Sequence, residues 1–403
     1  MNPIVIIGNG IASVSAVEAF RKHDKDTPII IFGDEPYYAY YRMRLSSLIG
    51  DTPYLDKLYI RKPEWYRDLN IEVHLNHRVI SIDTEKRSVT LDNGNTFFFS
   101  KLLIASGSSA FVPPVPGTNL PGVFSIRSLD DVKKFNDFIS NKTQGAVIGG
   151  GLLGLETAWS LAKNGKKLYV IEGSQHLLYK QVDETAAELL TNLGKKANIS
   201  FINLGQLSKI LGDKQVTNIQ LADGQTIPVE FVVFATGVRS NINLVKNTSI
   251  QTSRGIVVDE YMQTSVKDIY AAGDIAEYKG QVFGIWPVAL EQGKTAGLNM
   301  AEQETPYSEV VPSNYLKVFD IEVFSVGDIC KDGKPHTTIK SFAKESNIYR
   351  VVFFKDNIPV GAILCGDTKA ATKISKAIKS GVKIPDKIIK SGDFEGFLNE
   401  ISV

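Results

Sequence analysis

The feature that most constrains this chain is a supersecondary unit written twice. Residues 4–34 read as an apolar strand (4–7), a turn carrying Gly8 and Gly10, a helix reaching to about Lys22, a second apolar strand (28–32) and an acid, Asp34. Residues 145–172, GAVIGGGLLGLETAWSLAKNGKKLYVIE, repeat that order with Gly149, Gly151 and Gly154 and close on Glu172. Wholly apolar strands alternating with helices belong to parallel sheets covered on both faces. The expected fold class is therefore α/β, with two Rossmann-like sheets.

Each glycine in such a turn has a separate physical task. The first makes the tight turn, and the second lets the backbone approach a pyrophosphate with no Cβ in the way. The helix that follows aims its N-terminal amides and positive dipole end at the phosphates. In the first copy Ser13 stands where a third glycine packs helix on strand, so a slight displacement of that helix is expected. Asp34 is the expected ribose ligand, with Glu35 as second candidate. In the second copy Glu172 accepts hydrogen bonds from a ribose 2′-hydroxyl and repels a 2′-phosphate. No arginine follows it until well past the turn. That argues for NADH over NADPH.

Composition agrees with an ordinary globular protein. The 403 residues are 22% charged and 43% apolar, long enough for two or three domains. A formal net charge of +1 offers nucleic acid or a membrane surface no strong field. The run 4–7 is too short for a signal peptide, and no later stretch nears the roughly 18 apolar residues of a membrane helix. A cytoplasmic protein is expected. Its two cysteines, Cys330 and Cys365, match neither a metal knuckle nor a Cys-x-x-Cys pair, and are expected to be buried small hydrophobes.

Shorter motifs narrow the reading. The tripeptides Ala105-Ser106-Gly107 and Ala235-Thr236-Gly237, with TSVKDIYAAGD (264–274), resemble the pyridine-nucleotide–disulfide oxidoreductase superfamily over essentially the whole chain. The resemblance implies a glutathione-reductase-like architecture with FAD in the first cradle and NADH in the second. Its domains would be a discontinuous FAD-binding domain (1–114 and 245–305), an inserted NAD(H)-binding domain (115–244) and a C-terminal α+β domain (306–403). It makes Gly273 and Asp274 ligands of the FAD ribityl chain, and adds Val79, Ala105, Ser106, Gly107 and Gly237 to the cofactor-binding set.

Members of that superfamily commonly carry a redox-active cysteine shortly after the first acid. Here that segment is PYYAYYRMRLSSLIG (36–50), which has none. Thiol–disulfide exchange needs a thiolate beside the flavin, so electrons must leave from the flavin itself. YYRMRLSS (40–47) is similar to a segment of NADH:rubredoxin reductases and of the flavin module of NADH nitrite reductases. That likeness makes Arg42 an FAD contact, with Arg44 and Ser46 nearby; tyrosines 37, 38, 40 and 41 would cover the cofactor. Relatives pair a lysine at the Ser47 position with the glutamate matched by Glu156. Without it Glu156 needs another partner, for which Arg44 is the candidate, or its pKa should rise with burial.

The stretches 315–328 and 349–367 resemble the last domain of the same reductases and give Lys317 a role near the flavin, against a bland reading as a surface lysine. A helix at 288–300 should point its N-terminus at the flavin, with Trp286 just before it as core residue or gate. Lys369, Lys373, Lys376 and Lys379 fall at helical spacing and continue through Lys383, Lys387 and Lys390: a solvated face, or a dock for a small acidic electron carrier such as rubredoxin or ferredoxin. The histidines read as structural, with His74 and His77 on opposite faces and no metal site. The expected function is FAD-dependent transfer of electrons from NADH to such a carrier. The alternatives are an NADH oxidase reducing O2 and a redox scaffold like apoptosis-inducing factor.

Overall fold

A computed structural model describes residues 2–51, 55–330 and 336–401. The chain forms two compact units, one of residues 1–44, 53–109 and 238–310, the other of residues 45–52, 110–237 and 311–403.

The core of the first unit is a parallel sheet in the order Ile269–Ala271, Lys101–Ile104, Ile4–Ile7, Ile29–Phe32, Ile71–His74. Ile4 through Ile7 are at most 5% exposed, because both faces of the strand are covered. The second unit repeats the plan with Val123–Ser125, Phe231–Phe234, Gln144–Ile148, Lys167–Glu172 and Ile199–Asn203, again all parallel. The outer strand that completes each sheet beyond the glycine strand comes late in the chain in the first copy and early in the second. Each sheet also carries a three-stranded antiparallel meander, Val79–Phe98 in the first unit and Leu207–Pro228 in the second.

The long helix Trp286–Met300 lies against the first glycine helix, Ile11–Phe20, at backbone distance. A Cβ on Gly293 would overlap the carbonyl of Ala12, and one on Gly297 the carbonyl of Ala16. Ser15 Oγ donates to Leu290 O across the same seam (2.8 Å). The helix begins at Trp286 rather than 288, because Pro287 occupies the first turn, where its missing N–H costs nothing.

The C-terminal part of the second unit is an antiparallel sheet, Ser313–Val318, Ile321–Gly327, Ile358–Cys365, Ile348–Lys355, Thr337–Ala343, with helices Ala371–Ser380, Asp386–Ser391 and Phe394–Glu400 covering one face. Its first hairpin turns at Phe319 and Asp320, both at positive φ (53° and 61°), strained for a ring as large as phenylalanine. The strain is offset by packing. Phe319 is 5% exposed and its ring lies 5.6 Å from Trp159 and 6.3 Å from Phe201 of the nucleotide-binding part. Tyr349 Oη donates to Asp183 Oδ2 (2.5 Å) in the same seam.

Gly297→Ala should cost about 1–3 kcal/mol by overpacking a seam with no room for a methyl group. Urea unfolding checks this; an unchanged midpoint would show that the helices can part freely.

Candidate functional sites: two dinucleotide cradles

In both copies the glycine after the first strand is held by the end of a neighbouring strand. Gly8 (φ +101°) presses on the Ala105 carbonyl and Gly149 (φ +109°) on the Ala235 carbonyl, so that a Cβ would collide at either position. The two Ala-x-Gly tripeptides are thus the backing of the two glycine turns. The second glycines face the other way. A Cβ on Gly10 or Gly151 would meet nothing within 4 Å. Both glycines N-cap their helices without a side-chain hydrogen bond, and neither helix has an acid in its first turn. Each cradle therefore presents uncapped amides at the positive end of a helix dipole to open space, which suits a pyrophosphate.

Ser13 shows how the first copy manages without its third glycine. At Gly154 a Cβ would overlap the Gly149 carbonyl. Ser13 is fully buried, and its Oγ donates to Gly8 O (2.6 Å), replacing close contact with a hydrogen bond. A serine at this point requires the first helix to stand off its strand.

Around the first cradle, Ser106 Oγ is buried with no hydrogen-bond partner among the described residues. An orphaned hydroxyl beside an open glycine turn fits a ligand that supplies the missing partner. Asp274 is half-buried; its Oδ2 accepts from Ser108 Oγ (2.8 Å) and its carbonyl from Ser240 Oγ (2.6 Å). Gly273 N–H donates to Gln292 Oε1 (2.9 Å), and Gln292 is 1% exposed on the long helix. Sequence reading passed over Gln292 and Ser108. Gln292 could have been found as a lone polar residue on the small-residue face of its helix; Ser108 carries no such signal.

Of the two candidate acids, Asp34 is exposed, while Glu35 is half-buried and fixed. Glu35 accepts from Tyr40 Oη (2.7 Å) and from Arg42 (2.6 Å). Glu35 is thus a carboxylate already held in place, with Arg42 fixed beside it, while Asp34 is left open to solvent. Trp286, half-buried, stacks on Tyr41 (5.3 Å, 25°), and Arg44 lies over the other partner of that stack, Tyr41 (4.9 Å). Gly107 and Gly237 both adopt positive φ (66° and 92°), and Val79 is buried in the core.

At the second cradle Glu172 holds the turn with both oxygens. Gly150 N–H donates to Oε2 and Ser174 N–H to Oε1, each at 2.6 Å. Glu156, on the same glycine helix, is met by Ser46 Oγ (2.8 Å). Burial pushes the Glu156 carboxyl up, and only the Ser46 hydrogen bond opposes it. Ser46 thus partners Glu156 through its hydroxyl, a contact that spacing did not single out.

Other expectations also shift. Lys317 is exposed on an edge strand opposite Glu322, the placement of a surface lysine. Lys369 lies in the turn before the helix Ala371–Ser380, because Asp367 accepts from its backbone N–H (3.2 Å). Lys373, Lys376 and Lys379 are exposed on that helix, while Lys390 is paired with Asp386 (2.6 Å). Cys365 is fully buried, which pushes its thiol up to about 12; Cys330 is only half-buried. His74 and His77 are not separated by strand alternation, since the strand ends at His74, and their rings meet edge-on at 5.5 Å. Among the described residues no three metal-binding side chains cluster, and no helix is long and apolar enough to cross a membrane.

Two open glycine cradles on two doubly wound sheets define a protein that binds two dinucleotides. The chain belongs to the pyridine nucleotide-disulphide oxidoreductase family, whose model matches residues 2–293 and whose members use FAD and NADH. Residues 312–382 match the rubredoxin NAD+ reductase C-terminal domain. It is 36% identical to the NADH-rubredoxin oxidoreductase of Clostridium acetobutylicum, over 94% of each chain. It is also 36% identical to a Bacillus subtilis nitrite reductase [NAD(P)H], matching 95% of this chain but spanning only 48% of that longer protein. The solved NADH:rubredoxin oxidoreductase of Clostridium acetobutylicum superposes with a TM-score of 0.81 at 33% identity, over 99% of both chains.

The raised Glu156 pKa sets a sign for pH dependence. A carboxyl favoured neutral in the fold leaves stability intact below the unfolded value of about 4.3, and removes it as pH rises through the folded value. Glu156→Gln keeps an acceptor for Ser46 but cannot ionise. It should melt above the wild type at neutral pH, the gap closing towards pH ~4. Parallel curves across that range would show that Glu156 ionises without cost.

Proposed function

We propose that this chain carries electrons from NADH through bound FAD to a small electron-carrier protein of the rubredoxin or ferredoxin type. The observation that carries the reading is the pair of open cradles in one chain whose segment 36–50 lacks cysteine. Bound FAD would take up hydride from NADH and return electrons singly, so the protein needs to supply binding and orientation rather than a general base.

The first cradle's share falls to the amides that follow Gly10, to Arg42 as anion-binding fork, to Glu35 at the ribose and to Asp274 at the ribityl chain. Ser106 would use its free hydroxyl on the same ligand. Trp286 and Tyr41 form an aromatic wall at the N-terminus of the long helix, whose uncapped end favours negative charge nearby. In the second cradle, Glu172 holds the turn with both oxygens, and its negative charge there favours a 2′-hydroxyl over a 2′-phosphate, which supports NADH over NADPH. We divide the chain accordingly into an FAD domain (1–114 and 245–305), an NAD(H) domain (115–244) and a C-terminal domain (306–403). A chain with two cysteines, one of them fully buried, accords with a reducing, cytoplasmic setting. Lys373, Lys376 and Lys379 supply a cationic strip for an acidic carrier.

Purified protein should be yellow, and stopped-flow mixing with NADH should bleach the flavin absorption faster than NADPH does. A colourless protein, or one that NADH leaves unbleached, would sink the reading. Glu172→Gln should raise KM for NADH roughly tenfold with little change in kcat, the loss of one charge-assisted contact of about 1.5 kcal/mol. Equal KM values in the two proteins would remove Glu172 from nucleotide recognition. Reversing Lys373, Lys376 and Lys379 to glutamate should lower kcat/KM for rubredoxin about tenfold at low salt, leave flavin bleaching by NADH unchanged, and matter less as salt rises. A triple variant that reduces rubredoxin normally at low salt moves the dock elsewhere.

A further inference from the structure

Residues 45–51 keep company with the wrong half of the chain. Residues up to Arg44 and residues 55–109 belong to the first unit, whereas 45–51 group with the second. The short 3-10 helix Arg42–Leu48 leads into this strap, which buries Leu45 and Ile49 (3% and 2% exposed). Asn136, on the helix Leu129–Ile139, spends its whole amide on the strap backbone. Its Nδ2 donates to Leu48 O (2.9 Å) and Asp51 O (3.0 Å), and its Oδ1 accepts from Gly50 N–H (2.9 Å). Asn164, at the end of the second glycine helix, donates to Ile49 O (3.4 Å). Ser46 donates to Glu156 on that same helix (2.8 Å).

In each of these contacts one side chain of the nucleotide-binding part meets the strap, and most meet its main chain. A half-buried amide that is fully used fixes geometry and not merely proximity, because three hydrogen bonds at set angles must be kept together. The strap begins directly after Arg42 and Arg44, while Glu156 lies on the helix whose N-terminus opens the second cradle.

We propose that Asn136 and the Ser46–Glu156 pair are positioning residues that couple the two cradles: a nucleotide in the second cradle steadies the strap and so tightens the hold of Arg42 on FAD. This rests on the cradle assignment given under the proposed function. By linkage the coupling is reciprocal, and couplings of this kind amount to about 5- to 150-fold.

The test is the rate at which the full-length yellow protein loses FAD on dilution, followed as rising flavin fluorescence, with and without excess NAD+. Wild type should release FAD at least about fivefold more slowly with NAD+ present. Asn136→Ala and Ser46→Ala should release it faster without NAD+, and NAD+ should slow them less than about twofold. Should Asn136→Ala fail to fold, Ser46→Ala, which removes one hydroxyl, carries the test alone. A purely structural role would speed release equally in both conditions; an NAD+ ratio equal to that of wild type overturns the proposal, as does a wild type indifferent to NAD+. A protein without flavin would instead overturn the cradle assignment, and is recognised before any variant is made.

Discussion

Two backbone carbonyls govern this molecule. Ala105 O and Ala235 O press against Gly8 and Gly149 so closely that neither glycine can carry a side chain. Only a residue free to adopt positive φ can leave the strand there and start a helix at once. From that single packing condition follow the turn, the direction of the helix and the open space before Gly10 and Gly151. Nothing else in either cradle has to be specific for the phosphates to be met by amides.

That condition explains what could be read without coordinates. Glycine spacing and apolar strands are local, so the duplicated unit, the parallel sheets and the paired tripeptides stood out directly. What stayed hidden depends on contacts between distant segments. Asp34 and Glu35 are adjacent in sequence, and only the reach of Arg42 and Tyr40 tells which of them is held in place. Glu156 lies far along the chain from Ser46, so its hydroxyl partner could not be told from the nearby arginine by spacing. The helix expected from 288 starts at Trp286, because proline is welcome one residue inside a helix. Lys369 kept the helical spacing but lost the helix to a turn held by Asp367.

The electrostatics divide the acids by what surrounds them. Glu172 is satisfied by two amides and Glu35 by a guanidinium and a phenol, so both are fixed as acceptors. Glu156 is met by a hydroxyl, and burial raises its carboxyl above the ordinary value. Carboxylates of the same chemistry thus serve as clamp, brace and titratable contact.

Phe319 accepts a costly backbone conformation so that its ring can reach Trp159 and Phe201. Loss of the last sheet would therefore not merely shorten the protein. It would bare an aromatic socket on the nucleotide-binding part and strip Asp183 of its phenol partner. The tail and that part must accordingly fold and melt as one cooperative body, and an insertion at the hairpin tip would be felt in the glycine helix that carries Trp159.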